Sequence, residues 1–304
     1  MLVGPESGDD AGVFLLGGQG LAATVDFIPP VCDEPERYGR IAVTNALSDL
    51  WAMGAEPLFA LNLCGFPDSL PEGVGAEILA GGARALDEAG AALLGGHSVR
   101  DKETKYGIAA VGLVDPRGIL ALDGARPGQT LVLTKPLGTG VMINAFKFDR
   151  LDAAGFEPAL VEMERPNREA GRLARELGAG AATDVTGFGL VGHALNLARR
   201  SAVTLEIRAA TLPRHSAFAA LVEGGVSTGC TPKNRSYAEP HLELPGGLSP
   251  VELELLFDPQ TSGGLLVALS ENAAASYLAR LRERGHHAAE IGRVVEGPPI
   301  VRIV

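Results

Sequence analysis

The chain has 304 residues, enough for two domains of ordinary size, and its 46% hydrophobic and 21% charged residues describe a globular protein, not a disordered one. A formal net charge of −11, with no Lys/Arg cluster, argues against nucleic acid or an anionic membrane as a partner. A nucleotide remains compatible, because metal ions and backbone N–H groups hold phosphates in acidic proteins. No apolar run approaches the roughly 20 residues that span a bilayer, and Met1-Leu2-Val3-Gly4-Pro5-Glu6 is no signal peptide. Cys32, Cys64 and Cys230 lack paired spacing, so reduced thiols and a cytoplasmic location are expected.

Gly8-Asp9-Asp10-Ala11-Gly12 opens the chain, and Val13 to Leu16 and Leu21 to Ile28 read as two strands of a hairpin with Gly17, Gly18 and Gly20 between them. A helix is expected from about Pro35 to Gly54, a strand from Leu58 to Leu63, and an amphipathic helix from Pro71 to Ala89. Ala92 to Leu94 reads as a brief strand that stops at Gly95-Gly96-His97-Ser98, and Tyr106 to Val114 as another. The Pro-, Gly- and charge-rich stretch Asp115 to Gln129 is where a domain boundary is expected, dividing the chain into residues 1–119 and 120–304. The second half reads as strand Thr130 to Thr134, a turn through Gly138 into a helix, and one long helix from about Pro158 to Leu177. Ala181 to Leu190 then leads into a helix ending near Arg200, followed by strand Val203 to Ile207 and a helix near Ala217 to Glu223. Gly224 to Gly247 reads as loop, and strand Leu265 to Leu269, helix Ala273 to Arg284 and strands Ala288 to Val294 and Ile300 to Val304 close the chain. Strands and helices mix in both halves without strict βαβ repeats, which predicts an α+β fold of two domains.

The helix around Asn45-Ala46-Leu47-Ser48-Asp49 organises the chemistry. Val43, Ala46, Leu47, Leu50, Trp51 and Gly54 form its apolar face, while Asn45, Ser48, Asp49 and Ala52 share a stripe without Lys or Arg. Asp49 is therefore expected in a crevice, where a carboxylate must be hydrogen-bonded, protonated or held by a cation. Asp9, Asp10, Asp26 and Asp184 likewise sit at element ends, beside small residues and away from sequence cations. Converging carboxylates without counter-charge repel, and a hard cation such as Mg2+ relieves that. Gly95-Gly96-His97-Ser98 and Gly187-Phe188-Gly189 could offer backbone N–H groups to phosphates, although neither a phosphate-binding P-loop nor a dinucleotide fingerprint is present. His193 reads as a hydrogen-bonding residue of its helix, Cys64 and Trp51 as core, and Cys32 as a loop thiol.

Five blocks occur in order: Asn45 to Asp49 with Ala52-Met53-Gly54, Gly95 to Ser98, Leu133-Thr134-Lys135-Pro136-Leu137-Gly138, Thr183 to Leu190, and Asp258-Pro259-Gln260-Thr261-Ser262-Gly263-Gly264. Together they resemble the selenophosphate synthetase (selenide, water dikinase) family, of the superfamily that also holds aminoimidazole ribonucleotide synthetase, thiamine-monophosphate kinase and a hydrogenase-maturation protein. The resemblance implies two α+β domains, the first forming a homodimer through its sheet, and the conversion of ATP, selenide and water to selenophosphate, AMP and phosphate. It matches Asp10, Asp49 and Asp184 to magnesium ligands, and Ser7, Gly8, Asp9, Asp26, Asp49, Gly96, His97 and Ser98 to ATP-contacting positions. A selenium-delivery protein would be a partner.

The family also carries, ahead of its Gly-Asp-Asp region, a flexible segment with a reactive Cys or selenocysteine and a Lys that this chain does not contain, so no residue is matched to the chemical step. As written, the chain is expected to bind Mg·ATP but to make little selenophosphate. The DNA before the Met1 codon is expected to encode that segment in frame, with a UGA or Cys codon. The competing readings are a catalytically silent nucleotide-binding dimer and another ATP-using superfamily member acting on a phosphorylated small molecule.

Overall fold

The computed structural model describes residues 1–304. β1 (Gly12–Leu16) and β2 (Gln19–Ile28) form an antiparallel hairpin, with Gly12 opposite Ala23. Its turn needs positive φ at both central residues, and Gly17 and Gly18 supply 57° and 87°. α1 (Pro35–Ala52), β3 (Glu56–Phe66), α2 (Val74–Ala89), β4 (Ala92–Arg100) and β5 (Lys105–Val114) follow. The five strands lie in the order β1-β2-β5-β3-β4, antiparallel except for the parallel pair β3 and β4. The sheet thus ends on β4, which runs straight through Gly95-Gly96-His97-Ser98 instead of stopping before it. The glycines allow this: Gly96 has φ of 151°, and a Cβ there would stand 2.3 Å from the Asn62 carbonyl oxygen.

Side chains alternate across β2. Ala22, Thr24 and Asp26 face α1, while Val25 and Phe27 are 61% and 53% exposed on the outer face. α1 and α2 cover the inner face and cross closely at two glycines. A Cβ on Gly39 would lie 1.9 Å from the Ile78 carbonyl oxygen, and one on Gly81 1.9 Å from that of Glu36. Backbone cannot yield as a flexible side chain can. Gly39→Ala is therefore expected to destabilise the protein by about 3 kcal/mol, read as a lower urea midpoint at unchanged slope.

The second half contains β6 (Thr130–Leu133), α3 (Thr139–Lys147), α4 (Ala153–Glu164), α5 (Arg168–Glu176), β7 (Ala181–Asp184), α6 (Gly189–Ser201), β8 (Thr204–Ile207), α7 (Phe218–Glu223) and α8 (Thr231–Ala238). β9 (Leu242–Glu243), α9 (Pro250–Phe257), β10 (Leu265–Leu269), α10 (Glu271–Glu283), β11 (Ala289–Val295) and β12 (Val301–Ile303) complete it. Its seven-stranded sheet has the order β7-β10-β6-β11-β8-β12-β9. Both faces are buried. Leu265, Val267 and Leu269 pack with Ala170, Leu173 and Tyr277 of α5 and α10, whereas Leu266 and Ala268 pack with Leu195 and Leu255 of α6 and α9. That is why β10 reads as an unbroken apolar run.

Two further expectations need correction. The helix from Pro158 to Leu177 is two helices, because Pro166 removes an N–H and disfavours helical backbone at Arg165. The loop from Gly224 to Gly247 contains α8 and the short β9. Cys32 lies in the loop between β2 and α1 as expected, but buried, its Sγ donating to the Glu34 carbonyl oxygen at 3.6 Å, and burial pushes the thiol up to about 12. No helix is long and apolar enough to cross a membrane.

Candidate active site

α1 runs along the joint between the two sheets, and its polar stripe faces both. From the first half, the Thr24 hydroxyl donates to Asp49 Oδ2 at 2.5 Å and the Asn45 amide donates to Asp26. From the second half, the Ser262 N–H donates to Asn45 Oδ1 at 2.8 Å, and the Asn167 amide donates to the Ser48 hydroxyl at 2.8 Å and the Gly263 carbonyl oxygen at 2.7 Å. Asp184, the last residue of β7, lies near enough to the Ser48 hydroxyl for it to hold the carboxyl down. Asp10 enters beside β1, and the Thr183 hydroxyl donates to its Oδ1 at 2.9 Å. Asp10, Asp26, Asp49 and Asp184 thus share one crevice, lined from both halves.

Their electrostatics show what the crevice lacks. Burial lifts Asp10 well above the usual carboxylate range, and the neighbouring Asp184 adds to it. Burial likewise lifts Asp49, with Asp184 and then Asp10 adding repulsion. Asp184 is raised to about 6 by burial, helped by Asp26 and opposed by the Ser48 hydrogen bond and by Lys135. Asp26 rises through burial, against hydrogen bonds from the Phe27 backbone and Asn45. Asp10 Oδ2 and Asp184 Oδ2 are sealed from solvent and have no hydrogen-bond partner. Lys135 does not neutralise them: its ammonium donates to the Arg165 and Ser262 carbonyl oxygens, each at 2.7 Å, and burial lowers it to about 7. Buried, unpaired carboxylate oxygens in an oxygen-rich crevice suit a hard cation.

The other predicted positions are placed differently. The Ser7 hydroxyl donates to the Gly4 carbonyl oxygen at 2.7 Å, and Gly8 follows in the left-handed region at φ 70° with open space above it. Asp9 does not join the cluster closely; its Oδ1 accepts the Leu122 N–H at 2.7 Å and ties the opening segment to the link between the sheets. Gly96, His97 and Ser98 lie on the edge strand, and His97 opens on the outer face with Phe27, Leu63 and Val99 round a cleft of about 230 Å³. A single chain therefore does not bring His97 to the carboxylates.

Asp258 and Gln260 act in the scaffold. Asp258 accepts the Gly140 and Val141 N–H groups at 3.1 and 3.0 Å, and Gln260 Oε1 accepts those of Gly138 and Thr139 at 3.0 and 3.1 Å. A carboxylate and an amide thus fill the start of α3 that an anion could otherwise occupy. Residues that sequence reasoning missed are Thr24, Thr183 and Asn167. Thr24 was readable from the two-residue alternation with Asp26, and Thr183 from its place beside Asp184; nothing in the sequence marks Asn167 beyond the preceding Pro166.

Residues 8–114 match the family described as AIR synthase related protein, N-terminal domain, and residues 126–304 match its C-terminal domain. The chain is 47% identical over 302 residues to "Selenide, water dikinase" of Geobacter metallireducens, covering 98% of this chain and 87% of the relative. It is 44% identical over 302 residues to the protein of that name from Nitratidesulfovibrio vulgaris, covering 98% and 86%. Among solved structures, thiamine monophosphate kinase from Aquifex aeolicus superposes with a TM-score of 0.73 at 23% identity over 97% of this chain and 90% of that one. A HypE–HypF complex gives 0.72 at 18% identity over 98% and 90%. These two likenesses show the fold. Taken with the identity to the curated relatives, the two matched domains show that the chain belongs to the selenide, water dikinase family of AIR synthase related proteins.

Proposed function

We propose that the crevice of Asp10, Asp49 and Asp184 is a magnesium site that holds the phosphates of ATP for the reaction of this family. The chain is an ATP-dependent phosphotransferase that converts ATP, selenide and water to selenophosphate, AMP and phosphate. The observation that carries the metal assignment is the pair of buried oxygens without a hydrogen-bond partner, Asp10 Oδ2 and Asp184 Oδ2, which the Lys135 ammonium does not reach because it donates to the Arg165 and Ser262 carbonyl oxygens. Asp10, Asp49 and Asp184 would hold Mg2+, which would supply positive charge to the phosphates.

The chain's own residues hold that arrangement ready. Thr24, Thr183 and Asn45 orient Asp49, Asp10 and Asp26, and Asn45 and Asn167 lock α1 to the Ser262-Gly263 turn. Preorganisation of this kind lowers the cost of assembling a charged site. Ser7, Gly8, Asp9, Asp26, Gly96, His97 and Ser98 are the proposed remaining nucleotide contacts. No residue of the chain is assigned the chemical step. The outer face of the first sheet, with Val25 and Phe27 of β2 and Leu61 of β3 exposed on either side of β5, supports a homodimer that would cover it. We place the domain division at residues 119 and 120, between the last strand of one sheet and the first of the other. The reading carries with it a cytoplasmic enzyme and a partner that supplies selenium.

Phosphorus NMR of ATP, Mg2+ and selenide, with protein expressed from the whole reading frame, is expected to show selenophosphate, AMP and phosphate. Asp184→Asn is expected to slow their formation by about two orders of magnitude or more. ATP consumption without selenophosphate would reject the substrate and favour another phosphoryl acceptor.

A further inference from the structure

A second pocket lies in the second half of the chain, between α4 and the segment Pro213 to Ser216 that leads into α7. It encloses about 570 Å³, and Pro136, Pro158, Val161 and Pro213 give it apolar wall. The buried Lys135 separates it from the carboxylate crevice, bonded to the Arg165 carbonyl oxygen on the pocket side and to that of Ser262 on the other.

Two polar atoms of its lining residues lack any partner. Glu162 and His215 are each 5% exposed, and Glu162 Oε2 and His215 Nε2 are buried without a hydrogen bond. Buried polar atoms are nearly always satisfied in native proteins, so two at one pocket mark a missing partner. Their surroundings set its chemistry. Glu162 Oε1 accepts from Arg165 Nε at 3.3 Å, which leaves Oε2 for a cationic donor. Burial, and then His287, push His215 down to about 4, so its ring is neutral. Nothing in the chain bonds Nε2, so the ring is free to carry its proton there and donate. Arg214 beside it is exposed and makes no ion pair; Glu252, which feels its charge, accepts from Ser249 instead. Glu157, the other carboxylate of the pocket, is taken by Arg37. One wall therefore offers a free carboxylate oxygen, and the other a guanidinium and an imidazole N–H.

We propose that this pocket binds a small zwitterion of the α-amino acid class, its ammonium on Glu162 Oε2 and its carboxylate on Arg214 and His215 Nε2. An anion alone would leave Glu162 Oε2 unpartnered, and a cation alone would face Arg165 and Arg214. The His287 side chain, 67% exposed, stands 3.8 Å from Glu162 Oε1 and turns aside to admit the ligand, as exposed side chains do within nanoseconds.

The test is saturation-transfer NMR of the full chain with an equimolar mixture of the proteinogenic amino acids. A member with a small apolar side chain is expected to receive saturation. Its amide, which lacks the carboxylate, and the matching carboxylic acid, which lacks the amine, should compete at least 10-fold more weakly. Arg214→Gln alters an exposed residue and keeps the fold, yet should weaken binding about 10- to 100-fold. Glu162→Gln should do the same, and Asp49→Asn in the crevice should leave binding unchanged. No saturation of any amino acid by the wild-type chain would overturn the proposal and leave the two atoms to buried water. Binding that survives both pocket variants, or is lost in Asp49→Asn, would overturn it by placing the ligand elsewhere. Displacement by the carboxylic acid or by inorganic phosphate as readily as by the amino acid would overturn it in favour of a plain anion site.

Discussion

Freed of metal with a chelator, Asp184→Asn protein is expected to be more stable than the wild type, and increasingly so as pH rises. The sign follows from the direction of the shift. Asp184 is raised in the folded state from 3.8 to about 6, chiefly by burial. A group raised on folding contributes its full stability below the unfolded value, and that contribution is lost as pH climbs through the folded value. The loss for Asp184 thus develops between about pH 4 and pH 6 and persists above it, on the order of 3 kcal/mol from the size of the shift. Asp10 and Asp49 are raised in the same direction, so the wild type carries further repulsion at neutral pH.

Wild-type stability alone would not show this cleanly. Burial pushes His193 and His215 down to about 4, and groups lowered in this way make the folded state gain stability as pH rises from there towards the ordinary histidine value. The histidines are the same in the variant, so the difference between the two proteins isolates the carboxylate. In calorimetric melts the gap should be small near pH 4 and reach roughly 5–10 °C at pH 8. Added Mg2+ should narrow or reverse it by stabilising only the protein with the complete site. A variant less stable than the metal-free wild type at pH 8 would contradict the repulsive cluster.

Much of this crevice was legible in the sequence. A stripe of Asn45, Ser48 and Asp49 free of cations announced a helix face that solvent does not cover, and the structure turns that stripe toward both sheets. Asp26 was legible as the one carboxylate in the otherwise apolar second half of its strand, and Asp184 from its place at a strand end before a glycine-rich bend. The fold class followed from the mixture of elements, and the outermost glycine turn from its dipeptide. What was hidden depended on partners distant in the chain. That Asp9 holds Leu122 and that Asn167 joins Ser48 to Gly263 follow from the packing of the two halves, 113 and 119 residues apart in the first and second bonds. The strand through Gly95 and Gly96 was missed because glycine ordinarily interrupts strands; the positive φ of both residues and the close approach of Asn62 to Gly96 explain their presence. α9 was readable from Ser249 and Glu252, whose side chains form a capping box, but those residues adjoin a Gly/Pro-rich stretch that masked the signal.

Asp49→Asn is expected to have the largest effect on binding. Asp49 stands where Asp10, Asp26 and Asp184 all act on it, and asparagine keeps its shape and its contact with Thr24 while removing the charge that a cation needs. A shared ligand lost from a site of this kind weakens Mg·ATP by more than the roughly 10- to 100-fold of a supporting residue, whereas the scaffold bonds from Asn45, Asn167 and Gln260 remain. The most direct measurement is a calorimetric titration of ATP, with and without Mg2+, into wild type and Asp49→Asn, with folding checked by circular dichroism. The wild type should bind Mg·ATP and release it when Mg2+ is withdrawn, and the folded variant should show no binding heat. Unchanged Mg·ATP affinity in folded Asp49→Asn would contradict the assignment of the crevice.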